Sequence, residues 1–530
     1  MNNTNKTLFP LIAAIMLVIG IIMGVSLSSK NLANKTTSNE YGKKMLDVLS
    51  IIETEYVDTV DKEALFEKTI SDMLHKLDPH SNYIPAKDLK RMSESIQGQF
   101  GGIGVRFAII RDTLCITNVI ENAPAYFEGV KVFDQFIEVE GENIANVNLR
   151  NTQVQDLLKG EAGTAVEVTI LRKGEKIKKS ITRGMVPIKS VVASFMIDEK
   201  TGYIRLGQFS INSDKEFFNA VLDLQQKGMK KLVFDLRYNG GGVMSSAVNI
   251  ADALLPQGVK IVSTKGKNRK EEIDFSRNPP LFKGLDLVVL VNQTSASASE
   301  IVAGAIQDND RGVVVGRRTF GKGLVQQDIE LKDGSNLRLT ISRYYTPSGR
   351  CIQKPYSGSY EEYMMDEYTR YENGELYEID SSLFVDSLRY TTTNGRTVYG
   401  GGGIMPDIFV PLDTTGSSTY FRRLQYANVF SDFAYDYVRF TDMTRWADVE
   451  IFSKQFNVSN KMLNDFKKYA EEHYQVKPNE KGFNYSKSNI VLNIKSEIAR
   501  QLWLENGSLY IRNKEDQEVL KGIEVFKKEL

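Results

Sequence analysis

The stretch V-V-L-V-N-Q-T-S-A-S-A-S-E-I-V-A-G-A-I-Q, from Val288 to Gln307, decides how this chain is read. Val288 to Asn292 is a short, mostly β-branched apolar run bounded by Gln293 and Thr294. From Ala298 onward, helix formers carry apolar residues at helical spacing. The segment therefore reads as strand, tight turn and helix, with Ser297 at the turn. Ser297 and Glu300 have the S-x-x-E spacing of a capping box, so helix capping is the plain reading of this serine. The position also suits a nucleophile, because the first N–H groups of a helix lack intrahelical partners and that of Ala298 can face a developing oxyanion. The two roles are compatible.

Working outward, Lys231 to Arg237 (K-L-V-F-D-L-R) reads as a buried strand that runs into Tyr238, Asn239 and the glycines Gly240 to Gly242. A helix-forming stretch follows from Ser245 to Leu255. Such glycines either present bare N–H groups to an anion or make a tight turn with no ligand. Downstream, T-F-G-K-G-L-V-Q (Thr319 to Gln326) places Lys322 twenty-five residues after Ser297. The chain has three histidines, His75, His80 and His473, so no imidazole lies near Ser297 in sequence. A serine nucleophile needs a proton acceptor, and lysine remains. A solvated surface lysine is the ordinary alternative. However, Lys322 sits between Gly321 and Gly323 beside Phe320, Leu324 and Val325, where burial would lower its pKa from about 10.4 toward about 7 to 8. A shift of that size costs about 4 kcal/mol and persists only where the fold enforces it. Gln326, four residues on, is placed to hydrogen-bond and orient the neutral amine.

Other chemistries are disfavoured. Gly316 to Lys322 satisfies G-x-x-x-x-G-K, but Gly323 stands where a phosphate-binding loop needs Ser or Thr, and the residues beyond alternate like a strand. Gly240 to Gly242 is not G-x-G-x-x-G, and no His, Cys and acidic cluster has metal-ligand spacing, so neither nucleotide, metal nor other cofactor is expected. The 530 residues are 42% hydrophobic and carry 67 basic against 67 acidic side chains, a multidomain globular composition with no electrostatic case for nucleic acid.

The runs D-L-R-Y-N-G-G-G (Asp235 to Gly242), S-A-S-A-S-E-I-V-A-G-A-I-Q-D (Ser295 to Asp308) and G-R-R-T-F-G-K-G-L-V-Q (Gly316 to Gln326) closely resemble the C-terminal processing peptidases, the tail-specific serine proteases. The resemblance implies that Ser297 is the nucleophile, Lys322 the general base and Gln326 the residue that orients it. It implies an oxyanion hole made by the N–H groups of Ala298 and Gly242. P-S-G-R-C-I-Q-K-P-Y (Pro347 to Tyr356) and G-G-G-G-I-M-P-D-I (Gly400 to Ile408) resemble segments that close a crotonase-like α/β catalytic domain. The strand-rich segment that opens with F-G-G-I-G-V (Phe100 to Val105) reads on its own as a small β-rich domain and resembles a PDZ domain. Strands are expected at Leu114 to Val119, Phe136 to Glu140, Val166 to Leu171 and Lys176 to Thr182, with a helix near Thr152 to Leu158. In that fold Gly101, Gly102, Ile103, Gly104 and Val105 would capture a peptide's C-terminal carboxylate. L-D-P-H-S (Leu77 to Ser81) resembles the family's N-terminal helical region, and His80 is assigned no chemistry.

The expected organisation is α/β and multidomain: residues 1–7 a tail, 8–27 a transmembrane anchor, 28–40 a linker, 41–97 helical, 98–185 PDZ, 186–413 serine peptidase, and 414–530 a helical extension. Residues 8–27 form a 20-residue uncharged stretch, long enough to span about 30 Å of hydrocarbon and longer than the usual signal-peptide core of about 7 to 15 residues. A retained single-pass anchor in the inner (cytoplasmic) membrane is favoured over a cleaved signal. Lys30, Lys35, Lys43 and Lys44 would by themselves hold the C-terminal side inside, and family resemblance places the catalytic domain outside the cytoplasm, in the periplasm. The extension has apolar stripes at Tyr426, Val429, Phe430, Phe433 and Tyr437 and at Ile490, Ile494, Ile498 and Leu502, read as core-facing in a separate tail domain for dimerisation or substrate handling. A homo-oligomer is left open. Cys115 and Cys351 fall in different expected domains and read as isolated thiols. The expected activity is hydrolysis of envelope polypeptides held by their C-terminal tails. The competing reading is a non-catalytic PDZ and crotonase-like peptide-binding scaffold.

Overall fold

Alternation along two strands organises the catalytic region. Leu232 and Phe234 of Lys231–Asp235, with Leu287, Val289 and Val291 of Asp286–Val291, enter one core. Val233, Val288 and Leu290 enter another on the opposite face. A sheet whose successive side chains point to opposite faces and are apolar on both must be covered twice. The computed structural model, which describes residues 39–527 apart from 278, 280, 283, 381 and 383, shows both covers.

Two compact units divide the chain after Leu74. Described residues of the first form the helix Asn39–Glu55 and most of the helix Lys62–His75. In the second unit, a six-stranded sheet runs in the order Val191–Met196, Thr201–Leu206, Lys231–Asp235, Asp286–Val291, Val313–Gly316 and Ile408–Phe409. The first pairing is antiparallel and the rest are parallel. Helices Ser213–Gln226, Met244–Leu254 and Ala298–Asp308 cover one face, through Phe217, Ala247, Ile250 and Val302 among others. A five-stranded sheet built around the long strand Asn336–Tyr345 stands beside it and contains Leu324–Glu330. This is the expected α/β multidomain architecture with a crotonase-like core.

The β-rich domain has its own core, including Ile116, Phe136, Val154, Val166 and Ile170. Its strands follow the order Val105–Ile110, Thr113–Val119, Gln135–Val139, Ala165–Arg172 and Glu175–Thr182, with Val105–Ile110 at the edge. The helix Asn151–Leu158 falls where the sequence placed it.

The C-terminal region departs from the expectation of a separate tail. Its helices between Thr419 and Arg512 do build an independent core around Phe430, Phe466, Ile490, Ile494 and Ile498. The last helix, Gln517–Val525, instead forms the second cover of the catalytic sheet, with Val519 and Val525 packed against Val288 and Leu290. Tyr426, read as core-facing, is 87% exposed because its helix ends there, at a turn into the next. The stretch 8–27 lies outside the described residues, and among the described residues no helix is long and apolar enough to cross a membrane.

Candidate active site

The turn between Val291 and Ala298 is held by short polar side chains that reach across to the neighbouring loop. Asn292 Oδ1 accepts the Tyr238 N–H at 3.0 Å, and Ser295 Oγ donates to the Leu236 carbonyl at 2.9 Å. Asn239 is fully buried; its amide donates to the Leu206 carbonyl, its Oδ1 accepts the Gly241 N–H, and its carbonyl accepts from Ser299 Oγ, each at 2.9 Å. These bonds draw the glycine loop onto the start of the helix Ala298–Asp308.

At the apex, Ser297 has φ 55° and ψ −113°, a backbone conformation costly for any residue with a Cβ. A strained strand-to-helix turn of this kind pushes a hydroxyl out of the helix and toward a ligand. The Glu300 half of the expected capping box is formed, with Glu300 Oε2 accepting the Ser297 N–H at 2.8 Å. Gly241, at φ 98°, packs so close that a Cβ there would lie 2.8 Å from Ser297 Cβ and 2.7 Å from the Ala296 carbonyl oxygen. Among the described residues nothing accepts the N–H of Ala298 or of Gly242. The loop and the helix start thus leave two free donors beside the serine.

Lys322 lies where the chain passes from the parallel strand Val313–Gly316 to the antiparallel strand Leu324–Glu330. Ser297, Lys322, Gln326 and Gly240 to Gly242 line one cavity of about 490 Å³, together with Ile96, Arg338 and Tyr344. Burial pushes the Lys322 pKa below its ordinary value, and the Arg338 guanidinium adds to this, while Glu300 and Asp78 oppose it. Among the described residues no hydrogen bond joins Lys322 Nζ to Ser297 Oγ, a looseness common in unliganded sites. Gln326, expected to orient the amine, has its Nε2 on Thr340 Oγ1 at 3.3 Å. Thr340 Oγ1 in turn donates to Asp78 Oδ1 at 3.0 Å, so Gln326 ends a short relay from the D-P-H-S turn. His80, in that turn, is pushed down to about 3, first by burial and then by Lys322, and its Nε2 meets Tyr363 Oη at 3.0 Å. An imidazole so hard to protonate is a poor proton acceptor.

Glu300, Tyr344, Asn239 and Thr340 were not singled out from the sequence as parts of a site. Glu300 is fully buried and accepts four hydrogen bonds: Thr319 Oγ1 and the Gly321 N–H on Oε1, the Ser297 and Lys322 N–H groups on Oε2. Burial raises its pKa and these bonds oppose the rise. Three of the four partners are backbone N–H groups, which can only donate and so favour the carboxylate anion. Tyr344, buried beneath the site, places its hydroxyl 3.1 Å from the Ser297 carbonyl and 2.7 Å from that of Lys322.

In the β-rich domain, Gly102, Ile103, Gly104 and Val105 line a groove of about 270 Å³ with Phe100, Phe107, Gln155, Leu158, Lys159 and Ile188. It runs beside the free edge of Val105–Ile110. Ile103 is buried in the domain core, and Gly104 has φ 79°. Gly101 stands apart from the groove: a Cβ there would fall 2.0 Å from the Gly160 carbonyl oxygen, so its smallness serves packing. Cys115 and Cys351 are free thiols. Among the described residues no group of three or more His, Cys, Asp or Glu is arranged to hold a metal.

Comparison with known families agrees with this layout. Residues 200–358 match peptidase family S41, and residues 101–182 match the PDZ domain. Residues 23–88 match the activating protease CtpB N-terminal domain, and residues 420–504 match a family of unknown function. A carboxy-terminal-processing protease of Bartonella bacilliformis is 36% identical over 351 residues, 63% of this chain and 80% of the relative. A probable CtpA-like serine protease of Staphylococcus aureus is 32% identical over 345 residues, 64% of this chain and 68% of the relative. A solved photosystem II D1 C-terminal processing protease is 29% identical with a TM-score of 0.34, covering 57% of this chain and 82% of that one. A nucleophile-type turn, a lysine of lowered pKa and a PDZ groove thus occur in a chain that belongs to peptidase family S41, as a carboxy-terminal-processing serine protease with a PDZ domain.

Proposed function

We propose that this serine protease works through a Ser297–Lys322 dyad. The observation that carries the reading is the single cavity shared by Ser297, Lys322, Gln326 and the glycine loop. Neutral Lys322 takes the Ser297 proton as Oγ attacks the scissile carbonyl carbon. The Ala298 and Gly242 N–H groups stabilise the oxyanion, and the ammonium of Lys322 protonates the leaving amine as the C–N bond breaks. Water then attacks the acyl-enzyme, giving a proton to Lys322, which returns it to Ser297 Oγ as the ester C–O bond breaks. Gln326, held through Nε2 by Thr340, keeps its Oε1 for the lysine amine.

Substrates are polypeptides whose free C-terminal tails add to the edge of Val105–Ile110, with the carboxylate at Gly102 to Val105. Residues 8–27 anchor the chain in the inner membrane with the catalytic domain in the periplasm, which makes the substrates envelope proteins. The uncharged 20-residue stretch supports the anchor, and the family resemblance the periplasmic side. The test is a fluorophosphonate probe on the full chain, followed by peptide mapping. Labelling at Ser297 that Lys322→Ala suppresses is expected. A folded protein that takes no label would return the scaffold reading. Cell fractionation after alkaline extraction tests the anchor, which fails if the protein leaves the membrane.

A further inference from the structure

The PDZ domain is inserted in the chain between Gly98 and Pro187, and beyond these two crossings Arg91–Asp156 and Lys159–Glu94 tie it to the helix Ala86–Gln97. Domains joined by so few contacts move relative to each other by default. A further tie comes from the C-terminal helical region, whose residues 420–504 match a family of unknown function. Arg111, at the turn between the PDZ strands Val105–Ile110 and Thr113–Val119, grips Asp436 with both guanidinium arms, at 2.5 and 3.1 Å, and reaches Tyr469 Oη at 2.9 Å. Beside this pair, Tyr435 is buried with Ile110 and Cys115 of the PDZ domain. Phe133 meets the Tyr435 ring edge-on at 5.2 Å and also packs on the helical core.

The other end of the same region is seated beneath the catalytic loops. Its long helix breaks at Trp503 and Leu504, and Asn506 Oδ1 then accepts the Ser194 N–H at 2.7 Å on the edge of the catalytic sheet. Glu518, at the start of the last helix, pairs with Arg237 and, at 2.6 Å, with Arg317. Arg237 opens the glycine loop and Arg317 opens the loop that carries Lys322. Arg237 also holds Asp235 at 2.7 Å, and Asp516 adds a third carboxylate at 2.9 Å. Arg237, Arg317 and Glu518 are at most 8% exposed, so these ion pairs lie inside the fold and not at its rim.

We propose that the C-terminal helical region is a strut that fixes the PDZ groove relative to the two catalytic loops, so that a captured tail is delivered to Ser297 from a set position. A mounted groove gives the scissile bond a higher effective concentration than a freely swinging one. The activity arm of the test rests on the peptidase reading above; the distance arm does not.

The test uses the full chain, with fluorophores at exposed Glu175 in the PDZ domain and Lys227 in the catalytic region, read by single-molecule energy transfer. Wild type should give one narrow distance distribution. Asp436→Arg should broaden it, and Arg111→Asp paired with Asp436→Arg should restore it; aspartate tolerates the positive φ at position 111. If Asp436→Arg alone misfolds, Arg111→Asp alone makes the same break at the hairpin tip. The broken variants should lose about tenfold in kcat/KM on a tailed substrate, while fluorophosphonate labelling of Ser297 stays within about twofold of wild type. A distribution and a tail preference both unchanged in the folded single variants overturn the proposal, as does a charge-swapped variant that stays as broad as the singles. Wild-type protein that shows the distances but takes no label would defeat the dyad and leave the strut standing.

Discussion

Ser297 and Lys322 hang by their backbone N–H groups from one atom, Oε2 of Glu300, at 2.8 and 2.9 Å. Their carbonyls lie on the other side of the same arrangement, within reach of the single Tyr344 hydroxyl. The turn that presents the hydroxyl and the loop that presents the amine are therefore positioned by shared groups, and each depends on the other's backbone.

Replacing Glu300 tests that coupling. In Glu300→Gln one face of the amide is an NH₂ group set against N–H donors, and each buried donor left unpaired costs about 1 to 3 kcal/mol. The variant should lose at least about tenfold in kcat. With the buried anion gone, Lys322 also loses a charge that holds its pKa up, so the acidic limb of the pH–rate profile should move to lower pH. A variant with wild-type kcat and an unmoved limb would remove Glu300 from this role.

For the dyad, Ser297→Ala, Lys322→Ala and the double variant should each lose nearly all activity by similar factors, because nucleophile and base act as a unit. Gln326→Ala should lose less, since it removes an orienting partner and not the proton acceptor. A Lys322→Ala enzyme that keeps most of its kcat/KM would rule out lysine as the base.

The pH dependence has a fixed sign. Lys322 acts when neutral, and burial and Arg338 lower its pKa below 10.5, so activity should rise with pH through an apparent pKa below that value. Arg338→Gln removes a charge that favours the neutral amine and should shift the rise to higher pH. Chelators should leave the rate unchanged. A rate that falls across the same range, or chelator inhibition reversed by added metal, would contradict the mechanism.

Much of the site was legible because its parts are local. Ser297, Ala298 and the glycine loop are each set by a strand-turn-helix pattern a dozen residues long. What joins them is not local. Glu300 looked like a cap because its spacing to Ser297 is that of a cap, and nothing in the sequence announced that the same carboxylate reaches Gly321 and Lys322. Tyr344 sits on a strand among other aromatic and β-branched residues, with no pattern to mark it. The place of the last helix is hidden in the sequence for a related reason. Its apolar side chains read the same whether they face a tail domain or the back of a β-sheet, and only the apolar residues on both faces of Asp286–Val291 called for a second cover.

The glycine loop admits a steric test. A methyl group at position 241 would meet the Ala296 carbonyl and Ser297 Cβ below 3.0 Å, at a φ of 98° that side chains rarely adopt. Gly241→Ala should therefore displace the loop, cost about 1 to 3 kcal/mol, and lower kcat far more than it raises KM. Thermal unfolding and steady-state kinetics measure the two effects. Normal kcat would mean that the loop is not held against the nucleophile.

Substrate choice should depend on the chemistry of the tail's last atoms. The groove at Gly102 to Val105 lies beside the free edge of Val105–Ile110, so a peptide can continue the sheet while its terminus meets backbone N–H groups. Lys159 lines the same groove and is held by Glu94 at 2.7 Å, leaving its charge near the arriving carboxylate but partly neutralised. Amidating the terminus removes its negative charge and replaces an acceptor by a donor, which should weaken binding by more than about 1 kcal/mol. Matched free-acid and amidated peptides with apolar ends, titrated against the full chain carrying Ser297→Ala, read that difference without cleavage. In the active enzyme the same change should appear mainly in KM. Equal binding of the two forms would take carboxylate recognition away from this domain, while the Ser297 and Lys322 assignments would be untouched.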